Sequence, residues 1–180
     1  MFGSAFLKPK IVLESWDVRP GEKIADFGCG AGFFSVALAQ CAGPQGTVYA
    51  LDVRQEALDA ARAKIKIAGA TTVQLIRADL EQPNGSGIKG ASVDKVLIAN
   101  ILFQAENKQA VLQEVARILR PQGSLLVIEW DPEKSAGAPV LPNTINRIEA
   151  RKCVENAGFE QIKEISAGSH HYGLIFKKRG

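Results

Sequence analysis

Apolar residues along this chain keep two rhythms in alternation. Short runs dense in Val, Ile and Leu give way to longer stretches in which apolar side chains recur about every third or fourth position. The short runs suit strands buried on both faces and the longer period suits amphipathic helices, so the alternation predicts an α/β fold with a mostly parallel sheet. Phe6 to Leu13 reads as a short helix or arm within a leading segment over residues 1–20, closed by the Pro20-Gly21 turn. Strands are expected at Lys23 to Phe27, Thr47 to Leu51, Val73 to Arg77, Val93 to Ala99 and Ser124 to Glu129. Helices are placed at Gly32 to Cys41, Gln55 to Ala68 and Asn107 to Leu119, with Gly43 and Gly69 as stops for the first two. Ala57, Ala60, Ala61, Ile65 and Ala68 form the expected inward face of the second helix, and Val111, Val115, Ile118 and Leu119 that of the third.

The stretch 82–90 is rich in Gly and Asn and reads as loop, and Arg120-Pro121-Gln122-Gly123 as the turn before the fifth strand. Pro132 to Pro142 holds three prolines and reads as a connection long enough to act as a lid or substrate wall. A helix over Thr144 to Ala157 and a hairpin of two strands, Glu160 to Ser166 and Tyr172 to Lys177, complete the pattern.

Composition narrows the class without naming a function. A chain of 180 residues fits one domain, and a hydrophobic fraction of 46% with 23% charged residues is that of an ordinary globular protein. A net charge of +3 is too small to argue for nucleic acid, and the aromatic residues do not gather with Lys and Arg. Lys177-Lys178-Arg179 reads as a solvated basic end. No apolar run approaches the roughly 20 residues that span a bilayer, and Met1 to Glu14 lacks the features of a signal peptide. Cys29, Cys41 and Cys153 have no metal-ligand spacing, so no metal is expected; reduced thiols and a cytoplasmic setting are the simplest expectation.

The candidate chemistry sits at strand ends. Asp26-Phe27-Gly28-Cys29-Gly30-Ala31-Gly32 runs from the first strand through a glycine-rich turn into a helix. Such a turn cradles phosphate in dinucleotide-binding folds, where the helix N-terminus favours anions. Here Asp26 would repel a pyrophosphate and suits a ligand bearing an ammonium or sulfonium, and Phe33 stands where a dinucleotide fingerprint wants its third glycine. The combination points to S-adenosylmethionine. Asp52 closes the second strand, where an acid accepts hydrogen bonds from ribose hydroxyls, and Asp79 closes the third, within reach of an adenine amine. Asn100 ends the fourth strand on the same carboxyl edge.

These residues resemble the motifs of class I S-adenosylmethionine-dependent methyltransferases. Asp26 to Gly32 is similar to that superfamily's first motif, Leu51-Asp52-Val53 to its ribose-binding segment and Ala78-Asp79-Leu80 to its adenine-binding one; Leu119 to Gly123 is similar to the turn before its fifth strand. Phe6-Leu7-Lys8-Pro9 and the run from His170 to Phe176 look like features of a compact subgroup. The resemblance implies a single methyltransferase domain over residues 1–180: a Rossmann-like, doubly wound, three-layer αβα sandwich. Its sheet has seven strands in the order 3-2-1-4-5-7-6, strand 7 antiparallel. It also implies that Asp26, Gly28, Cys29, Gly30, Gly32, Asp52, Val53, Ala78, Asp79, Leu80 and Asn100 bind the cofactor.

With the last strand antiparallel, as the resemblance implies, His170-His171 comes to stand beside Glu129-Trp130-Asp131; His171, His170 and Glu129 are the candidates for a catalytic role, the alternative being a pair of half-buried hairpin residues and a reaction that needs no catalytic side chain. Adjacent strand residues face opposite ways, so one histidine at most faces the pocket. The acceptor expected is a small molecule, with a protein lysine as the alternative. Asn100 is followed by Ile101-Leu102-Phe103 rather than by two prolines and an aromatic, which disfavours methylation of amide or base nitrogens. The three cysteines do not form the thiol set that arsenite methylation wants. A cofactor-binding regulator without turnover and a NAD-dependent oxidoreductase are the readings from other classes. Nucleic acid and membrane are not expected partners, and oligomeric state is not legible.

Overall fold

A computed structural model describes residue 7 and residues 9–134 and 144–179. The chain opens with helix α1 (Pro9–Ser15), followed by β1 (Lys23–Phe27), α2 (Phe33–Ala42), β2 (Thr47–Asp52), α3 (Gln55–Ala68) and β3 (Val73–Arg77). Strand β4 (Val93–Ala99), α4 (Lys108–Ile118), β5 (Leu119–Trp130), a 3₁₀ turn at Pro132–Lys134, α5 (Arg147–Asn156), β6 (Phe159–Ser166) and β7 (His171–Lys178) complete it. The seven strands form one sheet in the order β3-β2-β1-β4-β5-β7-β6. The first five pair in parallel, and β7 runs antiparallel to both β5 and β6.

Strand pleating divides the core into two layers of helix on sheet. Ile24, Val48, Leu97, Leu126 and Ile175 pack with α1 and α2. The alternate row, with Phe27, Leu51, Val96, Ile98, Val127 and Phe176, packs with α4 and α5. Asp26 is one pleat period beyond Ile24 and shares the row that faces α2, which is why a carboxylate there is only 2% exposed.

One helix face and several element boundaries differ from those expected, the clearest for local reasons. In α3 the buried residues are Leu58 and Ala61, and Ala60 and Ala68 are exposed. Alanine tolerates either environment, so its stripe misplaced the face. Leu119 begins β5 rather than ending α4, pairing with Val93, and the register then jumps to Lys95 opposite Ser124. The proline-glycine turn is thus an irregularity carried within the strand, with Gln122 at φ +62°. Helix α5 begins at Arg147 because Asn146 caps it and Glu149 completes a capping box. The final strand takes in His171, which pairs with Trp130. The expected Pro132 to Pro142 loop lies mostly outside the described residues.

No helix among the described residues is long and apolar enough to cross a membrane.

Candidate cofactor site

Parallel strands that end together leave their carboxyl edge open at the point where strand order reverses, here between β1 and β4. The turn after β1 places Gly28, Gly30 and Gly32 at φ +71°, +52° and +75°, a region L side chains rarely enter. Two of these glycines also meet close neighbours. A Cβ on Gly32 would come within 3.1 Å of the Ala61 Cβ, so this glycine lets α2 start against α3. A Cβ on Gly28 would fall 2.0 Å from Ile101 Cδ1.

Gly28 lies between two cavities. One, of about 240 Å³, is lined by Gly28, Asp52, Val53, Ala78, Asp79 and Leu80 among the expected cofactor residues. The other, of about 210 Å³, is lined by Asp26, Gly28, Cys29, Gly30 and Asn100. Gly32 lines neither, and its part is to place the helix. Several lining residues were not anticipated as part of the site. Ile101 joins the first cavity, and Leu7 and Pro9 wall the second. Their signal is tertiary, since nothing local in sequence marks an arm residue as facing the sheet edge.

The two buried carboxylates have different surroundings. Asp52 accepts hydrogen bonds at Oδ2 from the Gly30 amide (3.0 Å) and at Oδ1 from the Arg54 amide (3.0 Å), with the Arg54 side chain across it at 3.2 Å. That arginine is 66% exposed, and an ion pair of this kind is worth little. Asp26 instead accepts from the neutral Ser35 hydroxyl at 2.5 Å. Burial raises its carboxyl to about 6, Ser35 opposes the rise and Asp52 adds to it. Among the described residues no cationic side chain pairs with it.

Asp79 is exposed on the rim of the Asp52 cavity and accepts the Glu81 amide at 3.0 Å, an Asx turn that shapes this edge of it. Cys29 is 8% exposed, and burial pushes its thiol up, with Asp26 and Asp52 adding; it is a small residue of the turn and not an activated nucleophile. Phe33, 46% exposed, lies at the edge of the second cavity with the Lys64 ammonium 3.7 Å over its ring, and the close approach in this turn, of α2 to α3, is at Gly32.

The three catalytic candidates line neither cavity. His171 has no exposed surface; its ring packs on Trp130 with centroids 4.1 Å apart, and Asn100 Nδ2 donates to its Nε2 at 3.3 Å. Burial lowers its pKa to about 4, the neighbouring His170 lowers it further and Asp131 opposes, so it is neutral at pH 7. His170 is half-buried, its Nδ1 is 2.6 Å from the Ser169 hydroxyl and its carbonyl accepts the Asp131 amide. Glu129 is fully buried, and its Oε1 accepts the amides of Ile101 (3.1 Å) and Leu102 (2.7 Å).

A sheet of this strand order, with two cavities at its carboxyl edge lined by Asp52 and by Asp26, is that of a class I S-adenosylmethionine-dependent methyltransferase fold. Residues 19–177 match the family model described as a methyltransferase domain, and the chain belongs to that family. It is 36% identical over 124 residues to a ubiquinone/menaquinone biosynthesis C-methyltransferase (UbiE) of Paraburkholderia phymatum, covering 67% of this chain and 49% of that one. It is 27% identical over 158 residues to an arsenite methyltransferase of Halobacterium salinarum, covering 81% of this chain and 39% of the relative. The chain thus spans about half the length, or less, of the curated relatives it matches. A SAM-dependent methyltransferase structure from Aquifex aeolicus superposes with a TM-score of 0.87 at 24% identity, covering 96% of this chain and 90% of that one.

Proposed function

We propose that this protein transfers a methyl group from S-adenosylmethionine to a small, largely apolar acceptor. The observation that carries the reading is the apolar wall of Leu7, Pro9, Phe34 and Ala99 beside Asp26 and Asn100: a cofactor whose ammonium end sits at Asp26 would share this wall with the acceptor that meets its methyl. The cofactor, when bound, supplies a methyl already activated for displacement. The remaining contribution is positioning, to which proximity and alignment give much of the rate. Asp26 holds the ammonium end, Asp52 orients the ribose and the apolar wall keeps water from the reacting carbon. An acceptor like those of the quinone C-methyltransferases suits such a wall. Arsenite does not, because Cys29 is buried, Cys41 and Cys153 are half-buried on separate helices, and no His, Cys, Asp or Glu cluster among the described residues forms a metal site.

Incubation with labelled cofactor, a small-metabolite extract and a cell lysate is expected to place label in a low-molecular-weight product. Label appearing only in polypeptide transfers the assignment to protein methylation.

The Asp26 carboxyl makes cofactor affinity depend on pH. A cation prefers the ionised form, so Kd is expected to rise about tenfold per unit as pH falls below about 6. Stability moves the other way. The folded-state pKa lies above the ordinary 3.8, so protonation between pH 6 and 4 favours the folded protein at this site. Ser35→Ala removes the hydrogen bond that favours the carboxylate and shifts the binding midpoint upward. A titration of Kd against pH checks both; a profile flat from pH 7 to 5 removes Asp26 from the cation site.

A further inference from the structure

We propose that Glu129 and His171 are positioning residues: from opposite faces of the sheet they fix the Asn100–Leu102 segment at the passage between the two lobes of the cofactor site. The inference rests on the methyltransferase reading above.

That segment is the one both lobes share. Asn100 lines the Asp26 lobe and Ile101 the Asp52 lobe, with Ile101 pressed against Gly28 between them. It is also under strain, because Asn100 adopts φ +58°, a region that favours glycine. Something must hold it, and two side chains do. Glu129 lies in the β5 row of Leu125 and Val127, on the side of α4 and α5. Its single oxygen Oε1 satisfies both the Ile101 and the Leu102 amide. His171 pairs with Trp130 across β5 and β7 and so lies on the other face. Its neutral ring receives the Asn100 amide group from there.

Both side chains carry a cost that packing alone does not explain. Glu129 Oε2, His171 Nδ1 and Asn100 Oδ1 are buried without a hydrogen-bond partner, an arrangement that an apolar core would avoid. Met or Leu at 129 would fill the same space. It would leave two loop amides unpaired and free the segment to move over Gly28.

The test compares variants that keep or remove each hydrogen bond. Glu129→Gln retains an acceptor oxygen and is expected to keep S-adenosylmethionine Kd within about threefold of the natural chain; Glu129→Met is expected to raise it at least thirtyfold. His171→Phe keeps a ring against Trp130 and loses the bond to Asn100. It is expected to weaken S-adenosylmethionine about tenfold while leaving adenosine, which needs only the Asp52 lobe, within twofold. Hydrogen exchange at the Ile101 and Leu102 amides reports the segment directly, faster in Glu129→Met and little changed in Glu129→Gln. Equal loss in Glu129→Gln and Glu129→Met overturns the proposal, as does cofactor affinity unchanged in both Glu129→Met and His171→Phe. Should the natural chain bind no S-adenosylmethionine, the methyltransferase reading fails, and the exchange rates still decide whether Glu129 holds the segment. Should Glu129→Met fail to fold, the Glu129→Gln exchange rates and the His171→Phe split between the two ligands decide.

Discussion

Asp52→Ala is expected to abolish S-adenosylmethionine binding at concentrations where the natural chain is saturated. The carboxylate is 4% exposed and lines the cavity proposed for the adenosine half of the cofactor. Its exposed partner Arg54 is replaceable, whereas the two hydrogen bonds a charged acceptor offers a ribose are together worth roughly 3 kcal/mol or more. That is a Kd about a hundredfold higher or beyond. The substitution also takes an acceptor from the Gly30 amide, so some loosening of the turn is expected alongside. Asp52→Asn separates the two effects: it keeps one acceptor oxygen for the turn and loses the charge and the second acceptor. It should melt close to the natural chain and still bind poorly. Calorimetric titration measures the affinities and thermal unfolding the stability. Unchanged affinity in Asp52→Ala would refute the ribose assignment.

Gly28→Ala is the second large effect, and its cause is steric. The added methyl meets Ile101 at 2.0 Å and is carried on a backbone at φ +71°. Ile101 can turn aside because the contact is with its far end. The backbone strain remains, at roughly 1–3 kcal/mol, and the methyl stands in the passage that a cofactor spanning both lobes must cross. Binding is expected to fall at least a hundredfold. The double variant Gly28→Ala/Ile101→Ala relieves the clash between the two side chains. It should recover part of the melting temperature without recovering the affinity. Recovery of both would mean that the passage is set by Ile101 alone.

Much of this site was legible because strand ends are. An acid at or beside the end of a strand marks the carboxyl edge of a parallel sheet: Asp26 is the last residue but one of β1, Asp52 the last of β2, and Asp79 lies two residues past β3. Topology came with the resemblance, and with it the approach of His171 to Trp130 that the register shows. What stayed hidden depends on the third dimension. Leu7 and Pro9 are ordinary residues of an arm until α1 folds against α2. Ile101 reads as one more apolar residue until its side chain meets Gly28. Alanine misled in α3, where Leu58 carries the packing, and the cap at Asn146 was present in the sequence as Asn-x-x-Glu but lay three residues inside the expected helix. Adjacency put the histidines forward as catalytic candidates beside the plainer reading of half-buried hairpin residues; His171 has no exposed surface and accepts the Asn100 side-chain amide.

The most direct test of the account is a calorimetric titration of the natural chain with S-adenosylmethionine, with NAD as the competing ligand. One-to-one binding of S-adenosylmethionine that weakens below pH 6 and is lost in Gly28→Ala is the result predicted. Saturable binding of NAD with no heat from S-adenosylmethionine would contradict it.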